Sequence, residues 1–417
     1  MIAVIHPGTA RGTAAAPPSK SMAHRLLICA ALAQGESVVR CVEPSEDILA
    51  TADCLRALGA SVAWKDHGVT VRGCDPRRAD AAALYCRESG STLRFMLPLC
   101  LLSGKPMLLN GSRKLLSRPL TVYEDLCRSR GMILSRQDDS SILVQGVLSP
   151  GEYTIPGNIS SQFVTGLLFA LPLLPAPSRI RLLPPVESRS YLSLTLQALR
   201  NAGVRAEMAD GLTLDIPGGA VYQPQDTAVE GDWSNAAFFE ALNCAGGSVT
   251  VTGLRADSLQ GDRICLEFFT RLNSGPAELD LADCPDLAPV LFSVAALCHG
   301  AVFTGTRRLR FKESDRGSAM AREMAKFGII LRMEENRISV PAGVPHPPAE
   351  PLDSHNDHRI AMSLSILCTR TGGEIRGAEA VRKSFPDYWD RLRSLGIGVQ
   401  TENEPESPPS APPPADH

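Results

Sequence analysis

Apolar segments of helical length recur along the chain, each opened by a small polar cluster and usually closed by Gly or Pro. The first three are SKSMAHRLLICAALAQG from Ser19, SGSTLRFMLPLCLLSG from Ser89 and SSQFVTGLLFALPLLP from Ser160. Three more follow: SNAAFFEALNCAGG from Ser234, DLAPVLFSVAALCHG from Asp286 and DHRIAMSLSILCTRTGG from Asp357. Their starts lie 70, 71, 74, 52 and 71 residues apart. β-prone runs such as SVTVTG and AVFTG fill the intervals, with further helical stretches such as DILATADCLRALG and DRGSAMAREMAKFG. Each segment opens on Ser or Asp, whose side chains cap the free N–H groups of a helix start. Each predicted helix is apolar nearly all round, so it is expected to be buried on every side. Three units before residue 230 and three after it predict two similar α/β halves of about 200 residues each.

A helix start favours an anion, each dipole contributing about 0.3–1 kcal/mol. Six starts aimed at one cleft would form an anion site. The alternative is a duplicated α/β unit with a purely architectural role, and the residues beside the caps decide between the two.

Composition narrows the choice. With 44% hydrophobic and 21% charged residues and a net charge of −3, the chain has no global basic field for nucleic acid or a membrane. An aromatic content of 5% argues against base-stacking platforms. Any anion site must therefore come from locally placed cations. Twelve cysteines occur without a C-x-x-C pair, so they read as small buried hydrophobes of a reduced protein rather than as zinc or redox motifs. The start, MIAVIHPGTA, lacks the pattern of a signal peptide, and the longest apolar run, Phe163 to Ala176, is too short and too broken to span a bilayer. A cytoplasmic location is expected. The tail from Thr401, TENEPESPPSAPPPADH, reads as disordered, and PAGVPHPPAEP from Pro341 as a surface loop.

Cations cluster where the caps are. The first start carries Lys20, Ser21 and Arg25, with Ser21 and Arg25 four apart on one helical face. Arg94 follows Ser89 on the second, beside Gly90, and GSRKLLSRPL adds Arg113, Lys114 and Arg118. The sixth start carries His358 and Arg359; RRLRFKESDR holds Arg308, Arg310, Lys312 and Arg316, and VRKSFPDYW holds Lys383. An unpaired cation on a buried apolar helix costs several kcal/mol, so Lys20, Arg25, Arg94 and Arg359 point to a ligand. Arg113 and Arg310 read as solvated surface. Ser160, Ser161 and Gln162 fit either a neutral phosphate cradle or an ordinary cap. Asp286 and Glu313 lie among the cations, where a carboxylate's pKa is depressed and suits a base; Asp286 as a plain N-cap is the competing reading. His358 is a third possible proton carrier. Walker A, G-x-G-x-x-G, H-E-x-x-H and G-x-S-x-G motifs are absent, so nucleotide, nicotinamide, zinc and serine-hydrolase chemistry lack support.

Eight segments, PPSKSMAHR, ESGSTLR, SRPL, ISSQFVTGLL, CPDLAPV, FKESDR, NDHRIAM and KSFPDYW, run in order from residue 17 to residue 389. Together they resemble the enolpyruvyl transferase family, and within it the enzymes that act on shikimate 3-phosphate. The resemblance implies two α/β domains, each of three βαβαββ units in an inverse α/β barrel. Residues 1–18 with 230–400 would form one domain and 19–229 the other, followed by a 401–417 tail. It implies addition of the shikimate 3-phosphate 5-hydroxyl to phosphoenolpyruvate and loss of phosphate, in the shikimate route to chorismate. No cofactor, metal, nucleic acid or membrane partner is implied, and a monomer is expected. Carried over by position, shikimate 3-phosphate contacts are Lys20, Ser21, Arg25, Ser160, Ser161, Gln162, Ser188, Tyr191, Asp286 and Lys312. Phosphoenolpyruvate contacts are Lys20, Gly90, Arg94, Arg118, Gln162, Arg316, Arg359 and Lys383. Asp286 resembles the base for the 5-hydroxyl and Glu313 the proton shuttle at C3, with Lys20 and His358 beside them.

Three positions depart from the common pattern, where Asn is usual: His24, Glu88 and Arg308. Arg87 and Arg118 are the candidates to neutralise Glu88. A UDP-N-acetylglucosamine enolpyruvyl transferase would carry a reactive Cys in the mobile loop of the second unit, and GSRKLLSRPL has none. A non-catalytic phospho-acid binder would have lost acid–base residues, yet Lys20, Asp286, Glu313 and Lys383 are all present.

Overall fold

The computed structural model describes residues 1–66 and 68–403. All six apolar segments are helices, and they form the centre of the molecule: Lys20–Leu32, Gly90–Cys100, Ser161–Ala170, Trp233–Cys244, Ala288–Leu297 and His358–Thr371. Ser19, Ser89, Ser160 and Asp357 cap four of them by accepting a backbone N–H, as their positions predict. Two starts differ from expectation. The fourth helix is capped by Asp232, which accepts from Asn235 N at 2.9 Å, while Ser234 lies inside the helix bonded to Asp262. The fifth begins at Ala288, and Asp286 sits in a preceding 3-10 turn (Pro285–Leu287) with no capping bond. The carboxylate of Asp286 is therefore free for other work.

Five four-stranded sheets share one pattern, a parallel pair followed by two antiparallel steps. Met107–Asn110, for instance, runs parallel to Ala82–Tyr85 and antiparallel to Ser141–Gln145. Strands such as Ser178–Leu183 alternate buried and exposed, so these sheets have one face on the helices and one in solvent. The sixth sheet is only a parallel pair, Arg11–Ala15 with Ser248–Thr252. In that unit the helix Cys265–Ser274 is followed almost directly by the next strand, Ala277–Asp280, leaving no chain for a hairpin. The short 52-residue spacing after Ser234 marks the same omission. The sheets are open and mixed; none closes into a barrel among the described residues.

Two hydrophobic cores result. One runs from Met22 to Val229, and the other joins Ala3–Ala14 to Trp233–Val399. We call them the inserted and the terminal lobe. The chain passes between them twice, side by side: Ser19 N donates to Glu230 O at 2.8 Å and Asp232 N to Pro17 O at 2.7 Å. Asp232 also accepts from Lys20 N at 3.0 Å, tying the starts of the first and fourth helices together at the crossing. Within the inserted lobe the second and third core helices pack closely at Gly166. A Cβ there would lie 2.4 Å from Arg94 O, so only glycine permits the approach that brings Arg94 to Gln162. Thr401 and Glu402, expected to be disordered, instead pair with Ala3 and Ile2, because the edge of that strand offers them backbone partners. The rest of the predicted tail from residue 404 lies outside the described residues.

Candidate active site

Residues from the starts of the core helices line one cleft of about 230 Å³ between the lobes. Seven Lys and Arg side chains face four carboxylates there, so the cleft is cationic although the chain carries −3. The terminal lobe contributes Asp286, Arg308, Lys312, Glu313 and Arg359, and the inserted lobe most of the rest.

Asp286 is the best-connected carboxylate of the cleft lining. It accepts from Arg316 Nη1 at 2.7 Å, Lys312 Nζ at 3.0 Å, Tyr191 Oη at 3.0 Å and Arg359 Nη2 at 3.4 Å. Burial alone would raise its pKa, but Lys312, Arg359 and Arg316 outweigh it and hold the carboxyl well below its usual range. Glu313 behaves likewise: against burial, Arg316 at 2.5 Å and the nearby Arg118 keep it ionised. Both groups are thus proton acceptors at neutral pH. Lys20 bonds Asp47 at 2.9 Å, and against the effect of burial Asp47 and Glu313 raise its pKa, so it is charged.

On the side of the first and third helices, Arg25 is fixed from three directions. It donates from Nε to Thr195 Oγ1 at 2.9 Å, from Nη1 to Ser21 O and from Nη2 to Tyr191 O. Ser160, Ser161 and Gln162 open the third helix at the cleft wall, with Ser160 also serving as its cap. Ser188 takes a left-handed φ of 57° and receives Arg308 Nη1 at 2.7 Å. Arg308 therefore supplies a buried cation to the cleft where Asn is common.

Across from them, Arg94 donates to Gln162 Oε1 at 2.7 Å, and Gln162 donates onward to Ser91 at 2.9 Å. Burial lowers the pKa of Arg94 and Arg25 to about 10, leaving both charged. A Cβ on Gly90 would stand 2.8 Å from Arg118 Nη1 and 3.1 Å from Arg94 Nη1, so the missing side chain makes room for both guanidiniums. Buried N–H groups with no protein partner remain on Arg94 Nε, Arg118 Nε and Arg359 Nε and Nη1. Such donors are ready for an oxyanion.

Three residues expected at the site stand outside the cleft lining. Arg316 is buried behind it, joining Glu313 and Asp286 to the cap Asp357 (2.9 Å). His358 is buried with neither ring nitrogen hydrogen-bonded; burial and the neighbouring cations hold its pKa well below the usual value, so it is neutral. Lys383 is held by Glu88 at 2.5 Å and by Asn356. Neutralisation of Glu88 thus comes from Lys383 and not from Arg87, which pairs with Glu46 and Asp53, nor from Arg118. His24, the third departure, is a core residue bonded to Thr51 at 2.8 Å. Arg113 and Arg310 are exposed, as expected. Sequence reasoning missed the counter-ions Asp47 and Asp232 and the positioner Thr195. The DWSN run, with an acid three residues before Asn235, was the one local signal, and it pointed to Asp232 alone.

An open two-lobed α/β scaffold carrying charged acid–base groups in a cationic cleft defines an enzyme for anionic small molecules. The family model for EPSP synthase (3-phosphoshikimate 1-carboxyvinyltransferase) matches residues 5–392. A 3-phosphoshikimate 1-carboxyvinyltransferase of Clostridium kluyveri is 36% identical over 413 residues, covering 94% of this chain and 96% of that protein. One from Clostridium beijerinckii is 37% identical over 420 residues, with 94% and 97% covered. The structure of EPSP synthase from Acinetobacter baumannii superposes with a TM-score of 0.76 over 97% of this chain and 100% of that one; at 23% identity this likeness shows the fold. The chain belongs to the EPSP synthase family.

Proposed function

We propose that the protein transfers the carboxyvinyl group of phosphoenolpyruvate to the 5-hydroxyl of shikimate 3-phosphate, releasing inorganic phosphate. The observation that carries this reading is the pair Asp286 and Glu313, two ionised carboxylates held by cations in a cleft rich in free Arg donors. Asp286 takes the proton of the 5-hydroxyl as its oxygen bonds to C2 of phosphoenolpyruvate. A proton arrives at C3 by way of Glu313, with Lys20 alongside as the charged donor. In the second half-reaction C3 returns a proton to Glu313, the double bond re-forms and the C2–O bond to phosphate breaks.

Ser21, Arg25, Ser160, Ser161, Gln162, Ser188, Tyr191 and Lys312 form the shikimate 3-phosphate side in this reading. Gly90, Arg94, Arg118 and Arg359 form the phosphoenolpyruvate side, with Arg316 orienting both carboxylates from behind and Lys383 completing the clamp. His358, buried and held neutral by burial and the neighbouring cations, opens the last core helix outside the cleft lining. Bidentate guanidinium contacts suit the phosphate and carboxylate that each substrate carries. Release of phosphate is measured with both substrates present. Tight binding of shikimate 3-phosphate without turnover would overturn the enzymatic reading.

A further inference from the structure

Glu88 and Lys383 meet across the two lobes at 2.5 Å, with side chains 29% and 13% exposed. Asn356 completes the junction. Its Nδ2 donates to both Glu88 oxygens, at 3.0 and 3.3 Å, while its main-chain and side-chain oxygens accept from Lys383 Nζ at 2.7 and 2.8 Å. An ammonium has three N–H donors, and here all three are engaged. Two of its partners are neutral oxygens, so Glu88 is the one partner whose charge competes with an incoming anion. His355 and Asn356 adopt left-handed φ values of 52° and 53°, which presents their oxygens to the lysines. Lys114 donates to His355 O at 2.9 Å beside them, a second cation toward which a displaced carboxylate can turn.

We propose that Glu88 is a built-in counter-anion for Lys383, occupying the ammonium that phosphoenolpyruvate must capture and so setting the affinity for that substrate and for competing small oxyanions. The proposal rests on the reading that Lys383 belongs to the phosphoenolpyruvate clamp. It accounts for the position of Lys383 beside the cleft rather than in its lining. It makes Glu88 a positioning residue that acts through Lys383 and touches no reacting atom. Lys383 also draws the Glu88 carboxyl below its usual range against the opposing effect of burial, which keeps the counter-charge in place at neutral pH.

The test is a double-mutant cycle on the full chain, with kcat and KM measured separately. In Glu88→Gln, KM for phosphoenolpyruvate falls roughly five-fold, the scale of one partly exposed ion pair, and inhibition by inorganic phosphate tightens in parallel. In Lys383→Met, KM rises, and adding Glu88→Gln to Lys383→Met changes it no further. Glu88→Asn serves as a second variant if the first melts early. An unchanged or raised KM in both Glu88 variants, with Lys383→Met still impaired, overturns the proposal alone. The same fall in KM in the Lys383→Met background also overturns it. A normal KM in Lys383→Met removes Lys383 from the clamp and takes the proposal with it.

Discussion

Replacing Asp286 by Asn keeps the side chain's volume and removes its charge. The amide then stands among Lys312, Arg316 and Arg359, whose nitrogens lie 2.7–3.4 Å from the native carboxylate. Two costs follow and can be separated. Loss of a positioned general base slows the chemical step by about 10²–10⁴-fold, or roughly 3–5 kcal/mol of barrier. Removing one partner of a buried ion cluster destabilises the fold by about 3–5 kcal/mol, and the 18% exposure of Asp286 places it at the lower end. A domain of ordinary stability, about 5–15 kcal/mol, remains folded at 25 °C after that loss. Thermal melting by circular dichroism should therefore show a lowered midpoint with a cooperative transition. Calorimetry should find shikimate 3-phosphate binding weakened by less than about ten-fold, since Arg25 and the serines remain. Turnover, followed as phosphate release below the melting range, should fall at least a hundred-fold. A variant with kcat within ten-fold of the parent would refute the role of Asp286 as base. Binding that collapses as far as turnover does would make it a holding group instead.

Gly90→Ala places a methyl 2.8 Å from Arg118 Nη1, so both guanidiniums must move; KM for phosphoenolpyruvate should rise about ten-fold or more while shikimate 3-phosphate affinity stays put. Acid should destabilise the protein through Asp286 and Glu313. Both have folded pKa values below the unfolded ones, so their contribution is present above about pH 4 and is lost as pH falls further, which urea midpoints from pH 7 to pH 3 will show. Asp262 has the opposite sign, since burial and the neighbouring Asp286 lift it to about 7. Its folded form favours the proton, and that advantage disappears as pH rises to 7. Asp262→Asn should accordingly gain about 2–3 kcal/mol more stability at pH 8 than at pH 5, and an equal gain at both would count against it.

Much of the fold was legible because the six apolar helices are buried on every side and open on capping residues, a local signal. The fourth start was misplaced because Trp233 hides the true cap: Asp232 is chosen by a second acceptor role, toward Lys20 N, that only the crossing creates. Individual cations such as Arg25 and Arg359 were legible as charges that an apolar helix cannot explain. What holds them was not. Thr195, Asp47 and Asn356 reach their partners through contacts far apart in the chain, and nothing near Lys383 announces Glu88. The absent hairpin of the fourth unit was visible only as a shorter interval.

The two lobes also differ in when a ribosome can finish them. The inserted lobe draws its core from Met22 to Val229, a continuous stretch available before the helices of the other lobe are made. The terminal lobe must wait, because Ile2–Ile5 lies in its sheet between Gly373–Arg376 and Val399–Glu402, which are synthesised after that lobe's core helices. Its first strand therefore stays unpaired until those segments emerge, while the other lobe folds behind it. Vectorial folding and the late zipping of these distant strands follow from one strand register.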